Sequence, residues 1–148
     1  MDRIFKGFLA GIIGAIPMNI INLIFYGLKL TQIRFIDWAS IIATGSLPND
    51  FSSIIYSLFV QICWSGVLGI GLAFSIPLIT SKGYFIKALI YSFLLGFFFR
   101  GMVVLYQVPE LYKITTQTGE INSIPVFLWG LTTAYILRKL DNIKAQQK

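Results

Sequence analysis

The sequence predicts an all-α integral membrane protein: a four-helix bundle with a short interfacial or re-entrant helix between its first and second spans. Three observations carry that expectation. The chain is 56% hydrophobic and only 12% charged, whereas soluble domains carry about 25% charge. Four apolar runs rise out of it, each too long or too continuous for an ordinary core strand. Finally, lysine and arginine gather on one set of helix flanks, as topology demands of a membrane protein. No stretch remains for a soluble domain, so residues 1–148 form one transmembrane unit.

A short basic lead carries Arg3 and Lys6, and the first span follows over about 7–28. It reads as a retained helix rather than a signal peptide, because no small-residue cleavage site follows a short apolar region. Gly7, Gly11 and Ala15, with Gly14 beside them, form a small-xxx-small series that lets another helix approach closely. At about 100° per residue, Gly11, Ala15, Asn19, Asn22 and Tyr26 fall within roughly an 80° sector. The first span thus has one small and polar face. Pro17, in its middle, is expected to kink it by removing a backbone donor.

Residues 29–50 form a longer connection whose centre, FIDWASIIATG, is amphiphilic rather than loop-like. Trp38 and its apolar neighbours suggest a short helix in the interface or dipping back into the bundle, with Asp37 as a cap. Pro48, Asn49 and Asp50 then turn into the second span, about 51–76, which should end before Pro77. Ser57, Gln61 and Ser65 recur at helical spacing along it, and Gly66, Gly69 and Gly71 thin its second half. The third span, about 84–107, places Arg100 inside an apolar run. An arginine there costs several kcal/mol unless it reaches water, phosphate or a partner. The fourth span, about 124–140, starts with Ser123 as cap and Pro125 in its first turn.

Four spans put both termini and the central turn on one side. That side holds Arg3, Lys6, Lys82, Lys87, Arg138, Lys139, Lys144 and Lys148. The other holds Lys29, Arg34, Arg100 and Lys113, along with Asp37, Asp50, Glu110 and Glu120. The cationic excess belongs in the cytoplasm, so the expected location is a cell membrane, crossed several times, with both termini inside.

The same topology sets depth. Asn19, Asn22, Tyr26, Arg100 and Gln107 lie in the outer half and Gln61 near the middle, so an outward-facing polar pocket around Arg100 is expected from these six residues. Each also has a plainer role. The amides serve as packing glue between helices. Arg100, about 24 Å along its helix, snorkels to outer headgroups or pairs with Glu110, Asp50 or Asp37. An anionic ligand or lipid phosphate at Arg100 is the functional alternative.

Several classes drop out. The formal charge of +6 is spread along helix flanks rather than gathered for nucleic acid. There is no histidine, and the single cysteine, Cys63, has no partner for an intrachain disulfide. No nucleophile with a nearby base and no metal-ligand cluster is present, so neither catalysis nor a cofactor or metal is expected. The four expected spans hold no acidic residue, against the usual design of a proton-coupled exchanger.

The opening GFLAGIIG, the Asp37–Trp38 pair in the first outer connection, and the aromatic third span followed by Pro109 resemble the YqhR-like family of small four-span membrane proteins of spore-forming Firmicutes. The resemblance covers most of the chain in order. It implies the membrane topology and nothing catalytic, since that family has no established activity. The functional expectation is a non-enzymatic membrane protein that binds a membrane lipid, a larger partner or a second copy, using its Gly-rich first-span face. The alternative is a small transporter or channel built on the pocket around Arg100.

Overall fold

The computed structural model describes residues 2–79 and 83–145. Lys82 and Lys148, two of the flank cations above, lie outside them. Five helices follow one another: α1 (Arg3–Gly27), α2 (Phe35–Thr44), α3 (Phe51–Ile79), α4 (Tyr84–Leu105) and α5 (Thr116–Ala145). Among the described residues all regular structure is helical. Three helices, Arg3–Gly27, Phe51–Pro77 and Tyr84–Leu105, are long and apolar enough to cross a membrane. Helix α5 is not among them: it is longer still, but its first turns are polar.

Helix α1 lies between α3 and α5, α4 packs on α5 and touches α3 only lightly, and α2 lies against α3. Glycines set the closest approaches. A Cβ on Gly7 would fall 2.7 Å from the Cα of Ile70, and one on Gly11 would strike the Ser65 carbonyl and lie 3.0 Å from the Cα of Gly66 and Gly69. Gly14 instead faces α5, where a Cβ would strike the Thr133 hydroxyl. The small residues of α1 therefore serve two different neighbours within the same chain. Backbones this close also bring Cα hydrogens onto carbonyl oxygens, a weak attraction repeated along the seam.

Two boundaries depart from expectation. Helix α3 runs through Pro77, whose missing N–H frees the carbonyl of Ala73 four residues back. The Nε of Arg3 donates to that carbonyl at 2.7 Å, so the proline leaves no orphan. Helix α5 begins at Thr116, so Ser123 is no cap and Pro125 lies in the helix interior. The hydroxyl of Thr115 takes the capping position, accepting from the N–H of Thr118 at 3.4 Å. The polar first turns hold because their buried side chains have partners: Thr118 accepts from the backbone N–H of Gln32, and Asn122 from Asn22. Composition alone hides such cross-chain bonds.

At the end of the bundle carrying the N-terminus, Lys6 is buried and lies 2.6 Å from Asp141 of α5, which also accepts from the hydroxyl of Tyr84 at 3.0 Å. This ties α1, α4 and α5 together. In the interior, Trp129 donates to the carbonyl of Gly11 at 3.1 Å and Tyr91 to that of Leu68 at 3.0 Å. Helix α4 is the peripheral one: 17% of its most apolar stretch is buried, against 33% in α1 and 39% in α3. Ala88, Ser92 and Val103 face inward, while Ile86, Phe93, Phe97, Phe98 and Leu105 stand exposed.

Candidate functional site

The structure does not assemble the expected pocket. It divides those six residues among five separate settings. Asn19 donates to the side-chain oxygen of Gln61 at 2.9 Å, tying α1 to α3. Asn22, 1% exposed, donates to the amide oxygen of Asn122 at 3.0 Å while accepting from the N–H of Phe35 at 2.8 Å. Gln107 lies past the end of α4, exposed, with φ at 48°, so it shares no helical face with Arg100.

Arg100 turns to the connection between α4 and α5. Its two terminal nitrogens donate to the carbonyls of Leu111 and Ile114, each at 3.2 Å. Neither Glu110 nor Asp50 pairs with it. A guanidinium presents five donors in a fixed fork, and two backbone carbonyls on one irregular segment suit that fork without any acid. Asp50 is engaged elsewhere: it caps α3, accepting from the N–H of Ser53 at 3.0 Å, while its own N–H donates to the Ser53 hydroxyl at 3.1 Å. That bonding holds the exposed Asp50 carboxyl below its ordinary value.

One of the residues whose carbonyl Arg100 holds, Ile114, lines an open hollow of about 420 Å³ at the end of the bundle opposite the N-terminus. Three connections build it. The α1–α2 segment supplies Gln32, Ile33 and Arg34, the α2–α3 turn supplies Leu47, Pro48 and Asn49, and the α4–α5 segment supplies Glu110, Lys113 and Ile114. Tyr26 from α1 and Asp37 from α2 complete the lining.

Local sequence explains how each wall is held. Asp37 in the first turn of α2 accepts from the backbone N–H of Arg34 at 2.8 Å and pairs with its guanidinium at 2.6 Å. The Arg34 guanidinium also lies 5.3 Å from the ring centre of Tyr26. Hydrogen bonding to Asp37 holds that guanidinium charged more firmly than usual, against the opposing effect of burial. Gly45, at φ 78°, ends α2 in the left-handed conformation that spares it a Cβ clash. Beneath the hollow, Ile33, Ile41, Val103, Leu111 and Ile114 form an apolar cluster with Trp38 packed on it.

Two charges in the hollow stand apart from this bonding. The side chains of Glu110 and Lys113 make no hydrogen bond or ion pair among the described residues. Glu110 adopts φ 66°, a left-handed conformation costing a non-glycine residue about 1 kcal/mol. Sequence reading found Arg34 and Lys113 only as outer-side charges, Asp37 as a helix cap, and Glu110 and Asp37 as candidate partners of Arg100, and did not bring the four together. Their meeting depends on three connections closing over one point, and only the Arg34-to-Asp37 spacing signalled any of it.

Among the described residues no group of three or more histidine, cysteine or acidic side chains could hold a metal. Comparisons with family models, with curated proteins and with solved structures find no match. The functional reading therefore rests on the residues of this chain.

Proposed function

We propose that this chain is an integral membrane protein that crosses the bilayer four times, through α1, α3, α4 and α5, and acts by binding rather than by catalysis. Both termini lie in the cytoplasm, and the hollow between the three outer connections is the ligand site. The observation that carries this reading is the contrast between the interior and the outer end. The interior amides bond to one another, Asn19 with Gln61 and Asn22 with Asn122. The hollow keeps two unpaired opposite charges, Glu110 and Lys113, in a concavity built by three connections at one end of the helices. Membrane placement is supported by three helices of spanning length and by the broad apolar surface of α4. Helix α5 crosses as the fourth through its apolar part from Ile124 onward, while the buried polar side chains of its first turns, Thr118 and Asn122, bond to Gln32 and Asn22. A transporter or channel is the weaker reading, since the bonded amides fill the place where a path would run.

Two measurements test this. In a Cys63-free background, a cysteine replacing Gln117 should label from outside intact cells and one replacing Lys139 should not; the reverse pattern overturns the topology. Filling the hollow with Asn49→Trp should abolish ligand-dependent stabilisation of the purified protein by added membrane lipid. Unchanged stabilisation would remove the hollow from the function.

A further inference from the structure

We infer that the hollow takes a zwitterion that joins a phosphate to an ammonium, the chemistry of a phosphoethanolamine head, with Lys113 holding the phosphate and Glu110 the ammonium. The inference rests on the reading of the hollow as the ligand site and adds the class of ligand.

Charge decides the class. Arg34 and Asp37 already neutralise one another through a contact of 2.6 Å, so the charges left to meet a ligand are Glu110 and Lys113. A simple anion would satisfy Lys113 and be repelled by Glu110, and a simple cation would suffer the reverse. A ligand with both signs satisfies both. The donors and acceptors agree: the lysine offers three N–H groups and no acceptor, the carboxylate only acceptors. Phosphate oxygens and a primary ammonium are their complements.

Size and position then narrow the source of that chemistry. A volume of about 420 Å³ admits a whole headgroup, within the usual range for small-ligand pockets. Leu47 and Pro48 add apolar side chains to the lining, suited to the carbon chain of a lipid. The two lone charges come from one short segment, 110–114, whose carbonyls at Leu111 and Ile114 accept from Arg100. That anchoring holds the backbone from which both side chains rise, which lowers the ordering left to the ligand.

The test uses the full chain in a neutral detergent, doped with equal amounts of phosphatidylethanolamine or phosphatidylglycerol. Retained lipid is read by native mass spectrometry and stability by thermal unfolding. The expected preference for phosphatidylethanolamine is on the order of tenfold. Glu110→Lys should reverse it toward phosphatidylglycerol, Lys113→Glu should lose both lipids, and the double exchange should restore phosphatidylethanolamine. Both side chains are exposed and unbonded, so these variants should fold, which size-exclusion profiles will verify. If Glu110→Lys leaves the preference unchanged while Asn49→Trp still removes both lipids, the hollow binds but the zwitterion assignment is wrong. If Asn49→Trp removes neither lipid, the hollow itself is not the site. Free phosphoethanolamine separates the sources: stabilisation by it alone assigns a soluble zwitterion, and a requirement for acyl chains assigns a lipid.

Discussion

The side chains of Asn22 and Asn122 meet across 3.0 Å in the buried interior of the bundle, joining α1 to the polar beginning of α5. Asn22 also receives the first N–H of α2, so one amide fixes three helices. Replacing Asn122 by leucine removes one partner and should cost about 1–2 kcal/mol. Asn22→Leu should cost more, because the N–H of Phe35 is orphaned as well. Thermal unfolding of the two single variants and the double one checks this. The double variant should fall short of the sum of the singles, and strict additivity would mean that the amides do not act as a pair.

Glycines on the two sides of the bundle should behave oppositely. Gly11→Ala places its Cβ against the carbonyl of Ser65 and the Cα of Gly66 and Gly69, all backbone, so the helices must part. A loss of about 1–3 kcal/mol is expected. Gly101 lies within α4 with nothing within 4 Å of an added Cβ. Gly101→Ala should therefore be neutral or stabilise by about 0.5–1 kcal/mol through helix propensity. Equal effects at both sites would show that α1 and α3 are not in contact there.

Arg100 supports the wall of the hollow from behind. Arg100→Leu should strip the Ile114 carbonyl of its guanidinium donor and leave that of Leu111 with only the long bond of 3.4 Å from the N–H of Ile114, at a cost of about 1–3 kcal/mol. Limited proteolysis should then cut between residues 108 and 116 faster than in the parent protein. Arg100→Lys can reach one carbonyl and should be intermediate. Unchanged cleavage in Arg100→Leu would mean that the segment is held by other contacts.

The cap of α3 should respond to acid. The hydrogen bonds from Ser53 hold the Asp50 carboxyl below its unfolded value, near 3.9 for an aspartate. The sign follows from that depression. Its stabilisation is complete above the unfolded value and is lost as pH falls through the lower, folded one. Asp50→Asn should flatten that part of the acid limb in a thermal-stability profile. A profile identical to the parent's would remove Asp50 from the acid response.

Much of this architecture can be read from composition and periodicity. The long apolar runs and the amphiphilic stretch around Trp38 mark α1, α2, α3 and α4 within a few residues, because a helix that faces lipid declares itself in its own sequence. Helix α5 shows only its later part, the expected fourth span over about 124–140; its first turns stay hidden, since Thr118 and Asn122 look like loop residues until Gln32 and Asn22 are placed beside them. The candidate site was harder for the same reason. Arg100 is conspicuous by its cost, yet its partners are backbone carbonyls, which have no sequence signature. Glu110 and Lys113 are ordinary connection charges until three connections enclose them.

The lengths of chain between the buried partners also bear on how the protein is made. Asn22 waits for a residue 100 positions later and Lys6 for Asp141, 135 positions later, almost the full length of the chain. Until the last helix has been made, Lys6 lacks its acid and Asn22 keeps only its bond from the N–H of Phe35. The bonds that close the bundle are thus among the last that a growing chain can form, so a chain truncated before α5 lacks both ends of the clamp on α1.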